Sequence, residues 1–419
     1  MNNKKKVFVD VGSSTVKVYK QNENGPKLLF ARSIPFKEGF DPEIGISENN
    51  KRELIEVLTE LKEKHPDYSI KLYATALYRK LTPKAQVALK DEIFERTGLF
   101  FNIISHELEN FYLEIALVGS YARDETVLLV NIGGGSTELV VMYGNEAIER
   151  YNIELGVGTV IAEFPKLNEK YSETNLEDVV GYVKGKLPVL QNKVKVAFYN
   201  GGELTYMRLA KYNLKKNVLF EDKDHPCILS LKDLCSGNLR ICGKVALEEL
   251  KALMPDNPKW MLGARSCSAI AQAIFENYSV GTIVPSDSNL IDGVIRQEFR
   301  YITISGSFRK HLDYILAVRK NLVEDNVQVL SPRFMEPKNP GGEFVVFAGE
   351  EGLSPLELER HHLDSIEKSD ALIVCDPAGY VGASALLEIG YAQSLGKRII
   401  FVEKPEEFML NTLPSEVGL

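Results

Sequence analysis

Apolar and polar positions along the chain form one pattern twice and then change. From Val7 to Lys20, "VFVDVGSSTVKVYK" runs as apolar strand, acid, glycine, small polar residues and strand again. From Val127 to Met142, "VLLVNIGGGSTELVVM" repeats that order, with Asn131 in the place of Asp10 and Gly133 in that of Gly12, 121 residues later. Repetition at a fixed offset predicts a duplicated domain, each half opening with a β-hairpin whose tight turn faces a ligand cleft. Leu54, Val57, Leu58 and Leu61 fall at helical spacing within 51–64. "SIKLYAT" then reads as a strand, 83–97 as a helix, 101–105 as a strand and 107–119 as a helix. In the second half "NLEDVVGYVKGKLPVL" reads as helix, and "VKVAFYNGGELTYMRLAK" as strand, Gly-Gly turn and helix. Helical blocks at 244–254 and 262–277 precede the closing "VGTIVPSDSNLIDGVI".

From Arg300 the pattern restarts. "YITISGSF" is a strand followed by Ser-Gly-Ser, then a helix to about 324; "VQVLSP" and "EFVVFA" read as short apolar strands. "SPLELERHHLDSIEKSD" is helical, with Ser354 as N-cap and Glu357 as its capping-box partner. "ALIVCD", "ASALLEIGYAQSLG" and "KRIIFVE" continue as strand, helix and strand. Alternating β and α elements predict an α/β, doubly wound parallel sheet. The expected domains are 1–125, 126–297 and 300–419, and with no Pro/Gly/Ser-rich linker near 297–301 the last is expected to pack against the rest.

Composition narrows the chemistry. With 419 residues, 44% apolar and 26% charged, the chain reads as an ordinary multidomain globular protein. A formal charge of −8 argues against a nucleic-acid or anionic-membrane partner, so a polyanionic ligand has to be held by a local pocket, backbone amides or metal. The lysine-rich opening lacks the apolar core of a signal peptide, and no run reaches the length of a membrane span. Five cysteines (227, 235, 242, 267 and 375) without CxxC spacing suit reduced thiols in the cytoplasm. His225 with Cys227, Cys235 and Cys242 is badly spaced for zinc, and buried structural thiols are the better reading.

Three glycines at 133–135 let a backbone approach an anion, and Ser136 and Thr137 add hydroxyls. Gly12, Ser13, Ser14 and Thr15 offer the same in the first copy, and Gly201-Gly202 a third turn. The ordered segments "DVGSST", "YATALYRK", "IISHELENFYLEIALVG", "NIGGGSTEL", "ELGVG", "NGGELTYMRLA" and "SNLIDGV" make 1–297 resemble the exopolyphosphatase/guanosine pentaphosphate phosphatase (Ppx/GppA) family, of the hexokinase–actin (ribonuclease H-like) superfold. That resemblance implies Glu109 as the general base that activates water, Arg79 as a phosphate-binding guanidinium, and Asp10, Asn131 and Glu138 as magnesium or second-layer oxygen ligands. Glu107, two residues from Glu109, would point elsewhere on the helix. Each residue also has a plainer reading: Glu109 a solvated helix acid, Arg79 a surface ion pair, Asp10 a turn cap, Glu138 a solvent-facing strand residue. Where the family carries aspartate, this chain carries Asn131, a weaker metal donor; Ser14 and His106 also depart from its pattern. Relatives of the superfold often dimerise, leaving a homodimer open.

The segment 300–419 resembles the nucleoside 2-deoxyribosyltransferase-like family, through "YITISGSFRK" and "SDALIVCDPAGYVGASALLEIGYAQSLGKRIIF". The resemblance implies Glu388 as a carboxylate nucleophile on an anomeric carbon. Ser305, Gly306 and Ser307 would line the sugar pocket, while Gly382 and Ser384 at a helix N-terminus would hold a phosphate. His361 and His362, on a polar helix, are read as solvated. Two functions follow as expectations: a magnesium-dependent phosphohydrolase of polyphosphate or pppGpp with a second, nucleotide N-glycosidase or transferase site, or a phosphate-ligand sensor, weakened at Asn131, that regulates that second site.

Overall fold

The computed structural model describes every residue except 1–4, 23–24, 120, 122–124, 145, 170–173, 256–257, 297–298, 325–326, 343 and 419. The chain divides into two compact units, Met1–Asn110 with Gln297–Leu419, and Phe111–Arg296.

The first unit holds two sheets. Strands β1 (Lys6–Val11), β2 (Thr15–Asn22), β3 (Gly25–Ser33), β4 (Ser69–Ala74) and β5 (Phe101–Ile103) lie in the order β3-β2-β1-β4-β5. β1 pairs antiparallel with β2 but parallel with β4, and β4 parallel with β5. Val7, Val9 and Val11 of β1, together with Leu54, Val57, Leu58 and Leu61 of helix Glu48–Lys64, form one core. That helix begins at Ser47, whose hydroxyl accepts from the Asn50 N–H, a cap that answers one of the unpaired donors of the first turn.

The second unit repeats the scheme. Strands β6 (Thr126–Ile132), β7 (Thr137–Tyr143), β8 (Glu146–Ile153), β9 (Val196–Asn200), β10 (Lys215–Lys216), β11 (Cys227–Ser230) and β12 (Thr282–Pro285) run β10-β11-β12-β9-β6-β7-β8. β6, β9 and β12 are parallel, and β6-β7-β8 is an antiparallel meander. Helix Ala264–Asn277 is buried along nearly its whole length against this sheet. The two predicted hairpins close alike: Gly12 N–H donates to the Thr15 carbonyl at 3.0 Å, and Gly133 N–H to the Ser136 carbonyl at 2.8 Å.

The third sheet, again in the first unit, contains β13 (Tyr301–Gly306), β14 (Gln328–Ser331), β15 (Ala371–Cys375), β16 (Arg398–Phe401) and β17 (Glu416–Val417), all parallel, in the order β14-β13-β15-β16-β17. Its last strand meets β5: Asn102 receives the Val417 N–H on its side-chain oxygen at 2.8 Å and donates its amide to the Val417 carbonyl at 3.3 Å. One carboxamide thus stands in for a backbone pairing between the edges of two sheets. Nearby, Lys90 donates to the Asn411 carbonyl at 2.8 Å, Lys404 pairs with Asp91, and Arg398 with Glu416. The C-terminal segment therefore packs on residues 1–110.

Several elements differ from the sequence reading. Strands β3 and β8 extend both hairpins into three-stranded meanders; Leu28, Leu29 and Phe30 of β3 are exposed, so no buried alternation announced it. Helix Leu176–Lys184 stops before "GKLPVL", where Gly185 and Pro188 interrupt the ladder. Helix Leu231–Lys244 lies where cysteines drew attention, and Gly237 within it is a packing requirement, since a Cβ there would meet the Tyr212 ring at 2.3 Å. Residue 343, which opens "EFVVFA", lies outside the described residues, and the described residues 344–348 form no strand. Their one ladder contact is a bridge from Phe347 to Pro337, because Asn339 takes up the Phe344 carbonyl and the Val346 N–H with its side chain.

A buried network ties the second unit together. His225 reaches Ser286 Oγ through Nε2 at 2.9 Å and Asp222 through Nδ1 at 3.0 Å; Arg296 meets Asp222 at 3.2 Å and also pairs with Asp224. The order Ser–His–Asp resembles a nucleophilic triad, but His225 and Ser286 are wholly buried, so the network is structural. Burial raises the Asp222 carboxyl, yet His225, the Asp224 N–H and Arg296 outweigh it and hold it well below the usual range. A depressed folded-state value stabilises above the unfolded value of about 4, and that stability is lost as pH falls towards the folded one. We predict that Asp222→Ala costs about 3 kcal/mol at pH 7, as expected for breaking a buried charge pair. The gap from wild type should narrow in urea melts as pH drops from 5 to 3; a gap independent of pH would contradict this.

Candidate functional site

In the first unit the three parallel strands β1, β4 and β5 end on one edge, where open α/β sheets place their ligands. Each end delivers one predicted residue. β1 carries Asp10 and leads into Gly12, Ser13 and Ser14. β4 leads into the short helix Ala76–Lys80, which carries Arg79. β5 leads through Ser105, whose hydroxyl accepts the Leu108 N–H at 3.1 Å, into helix His106–Val118, which carries Glu109. The side chain of Glu107 lies outside the described residues.

These residues converge. Arg79 Nη1 meets Glu109 Oε2 at 2.6 Å and the Ile104 carbonyl at 3.4 Å, with both side chains about a quarter exposed. Among the described residues both contacts use the same terminal nitrogen, and the rest of the guanidinium fork, whose geometry suits carboxylate or phosphate oxygens, makes no hydrogen bond there. Asp10 is pushed up to about 6, chiefly by burial; its cross-strand partner Lys17 opposes this and the nearby Glu109 charge adds to it.

In the second unit β6, β9 and β12 are parallel in the same way. After β6 the loop Gly133–Gly135 is clamped backbone to backbone by "ELGVG": Val157 N–H donates to the Gly133 carbonyl at 3.0 Å and Gly158 N–H to the Gly134 carbonyl at 2.7 Å. The approach requires glycine at 156, where a Cβ would lie 2.5 Å from the Gly133 carbonyl and 2.7 Å from the nitrogens of Gly135 and Ser136. Gly134 and Gly135 differ. A Cβ on either would meet nothing within 4 Å and neither has positive φ, so the fold itself does not ask for glycine there. Both are exposed. Gly201 and Gly202, with φ of 125° and 91°, are accounted for by their backbone alone.

Asn131 faces Glu138 across the β6-β7 pair and lies beside Asn200 of β9. Directly opposed residues of an antiparallel pair project from the same face, so a carboxylate and an amide oxygen stand together. Asn200 is buried and, among the described residues, its side-chain oxygen has no hydrogen-bond partner; as the one polar residue ending the apolar "VAFYN", it carries a signal in the sequence that the sequence reading passes over. Glu203, beyond the Gly201-Gly202 turn, is pushed up to about 8 by burial and accepts from Cys267 Sγ at 3.4 Å. Among the described residues no group of three or more His, Cys, Asp or Glu side chains could hold a metal by itself. Magnesium at phosphate sites needs only one or two carboxylates beside the phosphate oxygens and water, and the donors here fit that sparse mode.

A second site lies beyond the C-terminal ends of β13 and β15, where the strand order reverses. A cavity of about 290 Å³ is walled by Gly306, Ser307 and Arg309 on one side, Gly382, Ser384 and Glu388 on another, and the aromatic rings of Phe308, Phe344, Phe347 and Tyr380. Glycine at 306 is a packing requirement, its φ being 153° and a Cβ lying 2.7 Å from the Cys375 carbonyl. Ser305 does not line the cavity but lies buried beneath it. Helix Ala383–Ser394 starts at Gly382 and carries Glu388, 4% exposed. His362, expected in solvent, is instead buried, with Nε2 3.2 Å from Glu388 Oε2. The two atoms are within charge-pairing distance but misaligned for a full hydrogen bond. Leu358, His362 and Ile366 form the buried stripe of helix Pro355–Lys368; spacing of four puts His362 inside and His361 out.

Two mixed α/β sheets, each opening with a hairpin whose turn lies beside parallel strand ends, define a protein of duplicated α/β build. The family model described as the Ppx/GppA phosphatase family matches residues 18–236. The chain belongs to the Ppx/GppA phosphatase family. Among solved structures it is similar to the type II variant of the Aquifex aeolicus Ppx/GppA phosphatase, at 19% identity, with 70% of this chain and 98% of that one covered and a TM-score of 0.55. A second Aquifex aeolicus family member gives 20%, 70%, 96% and 0.54, and an exopolyphosphatase from Cytophaga hutchinsonii 18%, 70%, 96% and 0.53. No curated protein matches the chain. Among the described residues no helix is long and apolar enough to cross a membrane.

Proposed function

We propose that the chain is a phosphohydrolase of the exopolyphosphatase type, cleaving the terminal phosphoanhydride bond of polyphosphate or pppGpp. The observation that carries this is the Gly133–Ser136 turn: Gly134 and Gly135 are glycine without need of φ or packing, which leaves close approach of an anion to the backbone as their reason. Arg79 contributes a guanidinium to the phosphoryl oxygens and Glu109 accepts a proton from water. The water oxygen bonds to the terminal phosphorus as the bridging P–O bond breaks, and the electron pair leaves with the shortened chain. Asp10 in the first unit, and Asn131 and Glu138 in the second, are each oxygen donors available to magnesium, which when bound would neutralise charge on the phosphate oxygens. Because the Asp10 carboxyl lies near 6, its proton competes with the cation at lower pH. Calorimetric magnesium affinity in the presence of polyphosphate should therefore weaken from pH 7.5 to pH 5. Asp10→Asn should flatten that dependence, and an unchanged slope would remove Asp10 from the metal site.

A second reading keeps the grip and drops the cut: Asn131 supplies an amide where a carboxylate would be the stronger donor, giving a sensor of phosphorylated ligands. For the C-terminal segment, the parallel strand order and the cavity at its switch point support a Rossmann-like, nucleoside 2-deoxyribosyltransferase-like domain that cleaves an N-glycosidic bond. Glu388 oxygen bonds to the anomeric carbon as the C–N bond breaks, and the base leaves with the electron pair and takes a proton from solvent. Water then bonds to the anomeric carbon as the Glu388 ester C–O bond breaks, the carboxylate recovering its electron pair and the sugar leaving with the hydroxyl while the second proton of water returns to solvent. Incubation with a panel of nucleotides followed by chromatography should yield free base, lost in Glu388→Gln. No free base from any member of the panel would overturn this half of the proposal.

A further inference from the structure

Helix Pro355–Lys368 brings to the C-terminal cavity a group that neither the motif around Glu388 nor the strand order assigns. We propose that His362 is a positioning residue that holds the buried Glu388 carboxylate ionised and oriented towards the cavity, and that their pairing fits the cavity for an anionic substrate. The proposal rests on the reading of Glu388 as a nucleophile.

A carboxylate 4% exposed beneath aromatic rings loses most of its hydration, and without compensation it takes up a proton and ceases to be a nucleophile. The compensation is local. His362 Nε2 stands 3.2 Å from Glu388 Oε2, and on the far side of the ring Nδ1 stands 2.7 Å from Ser331 Oγ. Ser331 ends β14 and fixes the imidazole plane; its hydroxyl can give or accept a proton, so it serves both the neutral and the charged ring. Phe308 packs edge-on against the same imidazole with centroids 6.4 Å apart.

The groups facing the pair come from every surrounding element. Helix Pro355–Lys368 adds Glu359, three residues before His362 and on the same face; the preceding loop adds Glu350, β13 adds Ser305, and Arg309 lines the cavity from the helix after β13. Burial pulls His362 down, but Glu388, then Glu359 and Glu350, outweigh it and raise it above the ordinary histidine value. Burial pushes Glu388 up, but His362 and then the Ser305 hydroxyl outweigh that and hold it below the usual range. Glu359, one of whose buried oxygens has no partner among the described residues, is raised by burial and by the Glu388 charge. One imidazolium and one carboxylate thus cancel on the cavity floor. A bare Glu388 would add its charge to those of Glu350 and Glu359 at the cavity wall, whereas the neutral pair does not, leaving Arg309 to meet a phosphorylated substrate.

The test uses the full chain labelled with ¹⁵N-histidine. Six histidines are present, and loss of one imidazole signal in His362→Gln assigns the resonance. In wild type His362 should titrate above 6.5, and in Glu388→Gln its midpoint should fall. A midpoint at or below 6.5 that Glu388→Gln does not move overturns the pairing, whether or not the protein cleaves any nucleotide. Base release gives a separate readout. His362→Gln should lower kcat at least tenfold and move the acid limb of the pH profile to higher pH, because Glu388 then ionises later; added imidazole should restore part of the loss. A uniform fall with an unmoved limb, at unchanged melting temperature, overturns the positioning role. Absence of base release by wild type with the titration shift intact sinks the glycosidic reading and leaves the charge pair standing.

Discussion

Glutamine in place of Glu109 is expected to lower phosphate release from polyphosphate by about 10²- to 10⁴-fold, the span over which a positioned general base acts, while the phosphate chain still binds. The substitution keeps the size and one oxygen of the side chain, so helix His106–Val118 and the contact with Arg79 at 2.6 Å are little disturbed. What it removes is the proton acceptor. Colorimetric phosphate release beside calorimetric polyphosphate binding separates the two effects. Arg79→Ala should behave differently, weakening binding and rate together, because its fork meets phosphate in the ground state as well as during transfer. Full activity in Glu109→Gln would mean that another group takes the proton.

The second large effect concerns glycines that look alike in sequence. Gly156→Ala should be severely destabilising, because its Cβ would intrude on three backbone atoms of the Gly133–Ser136 turn at 2.5 to 2.7 Å, and backbone cannot step aside as a side chain can. A loss of about 3 kcal/mol, with the turn displaced and phosphate binding abolished, is expected. Gly134→Ala should leave the melting temperature within about 2 °C, since a Cβ at 134 meets none of the described atoms within 4 Å, a shift that corresponds to about 1 kcal/mol or less. Its cost should fall on polyphosphate affinity, by at least tenfold. Thermal melts and calorimetry on both variants settle the contrast. Equal destabilisation by both would mean that the turn is only structural.

Much of this was legible in the sequence because it rests on local rules. The paired hairpins follow from strand alternation broken by Gly12 and by Gly133–Gly135, and the capping box at Ser354 and Glu357 from a short-range hydrogen-bond pattern. Ppx/GppA membership was carried by ordered motifs in a chain only about 20% identical to a solved relative. What escaped depended on partners distant in sequence. β17, two residues long, exists because Asn102 pairs with Val417 more than 300 residues away. The use of "ELGVG" as a clamp appears only when Gly156 and Gly158 meet the other turn. His362 was misjudged from the polarity of its helix, although the spacing Leu358–His362–Ile366 placed it on the buried stripe. Periodicity outweighed composition at that position, since one apolar face is enough to bury a residue flanked by charges.

The central claim joins a grip on phosphate to a cut, and Asn131 is where the two could part. The most direct measurement is phosphate released per polyphosphate chain bound, with purified wild-type protein, magnesium and excess protein over chain ends. The account predicts continuous release of inorganic phosphate from the chain ends until the bound polymer is consumed. Saturable binding with no phosphate released would contradict it, leaving a phosphate sensor in place of a hydrolase.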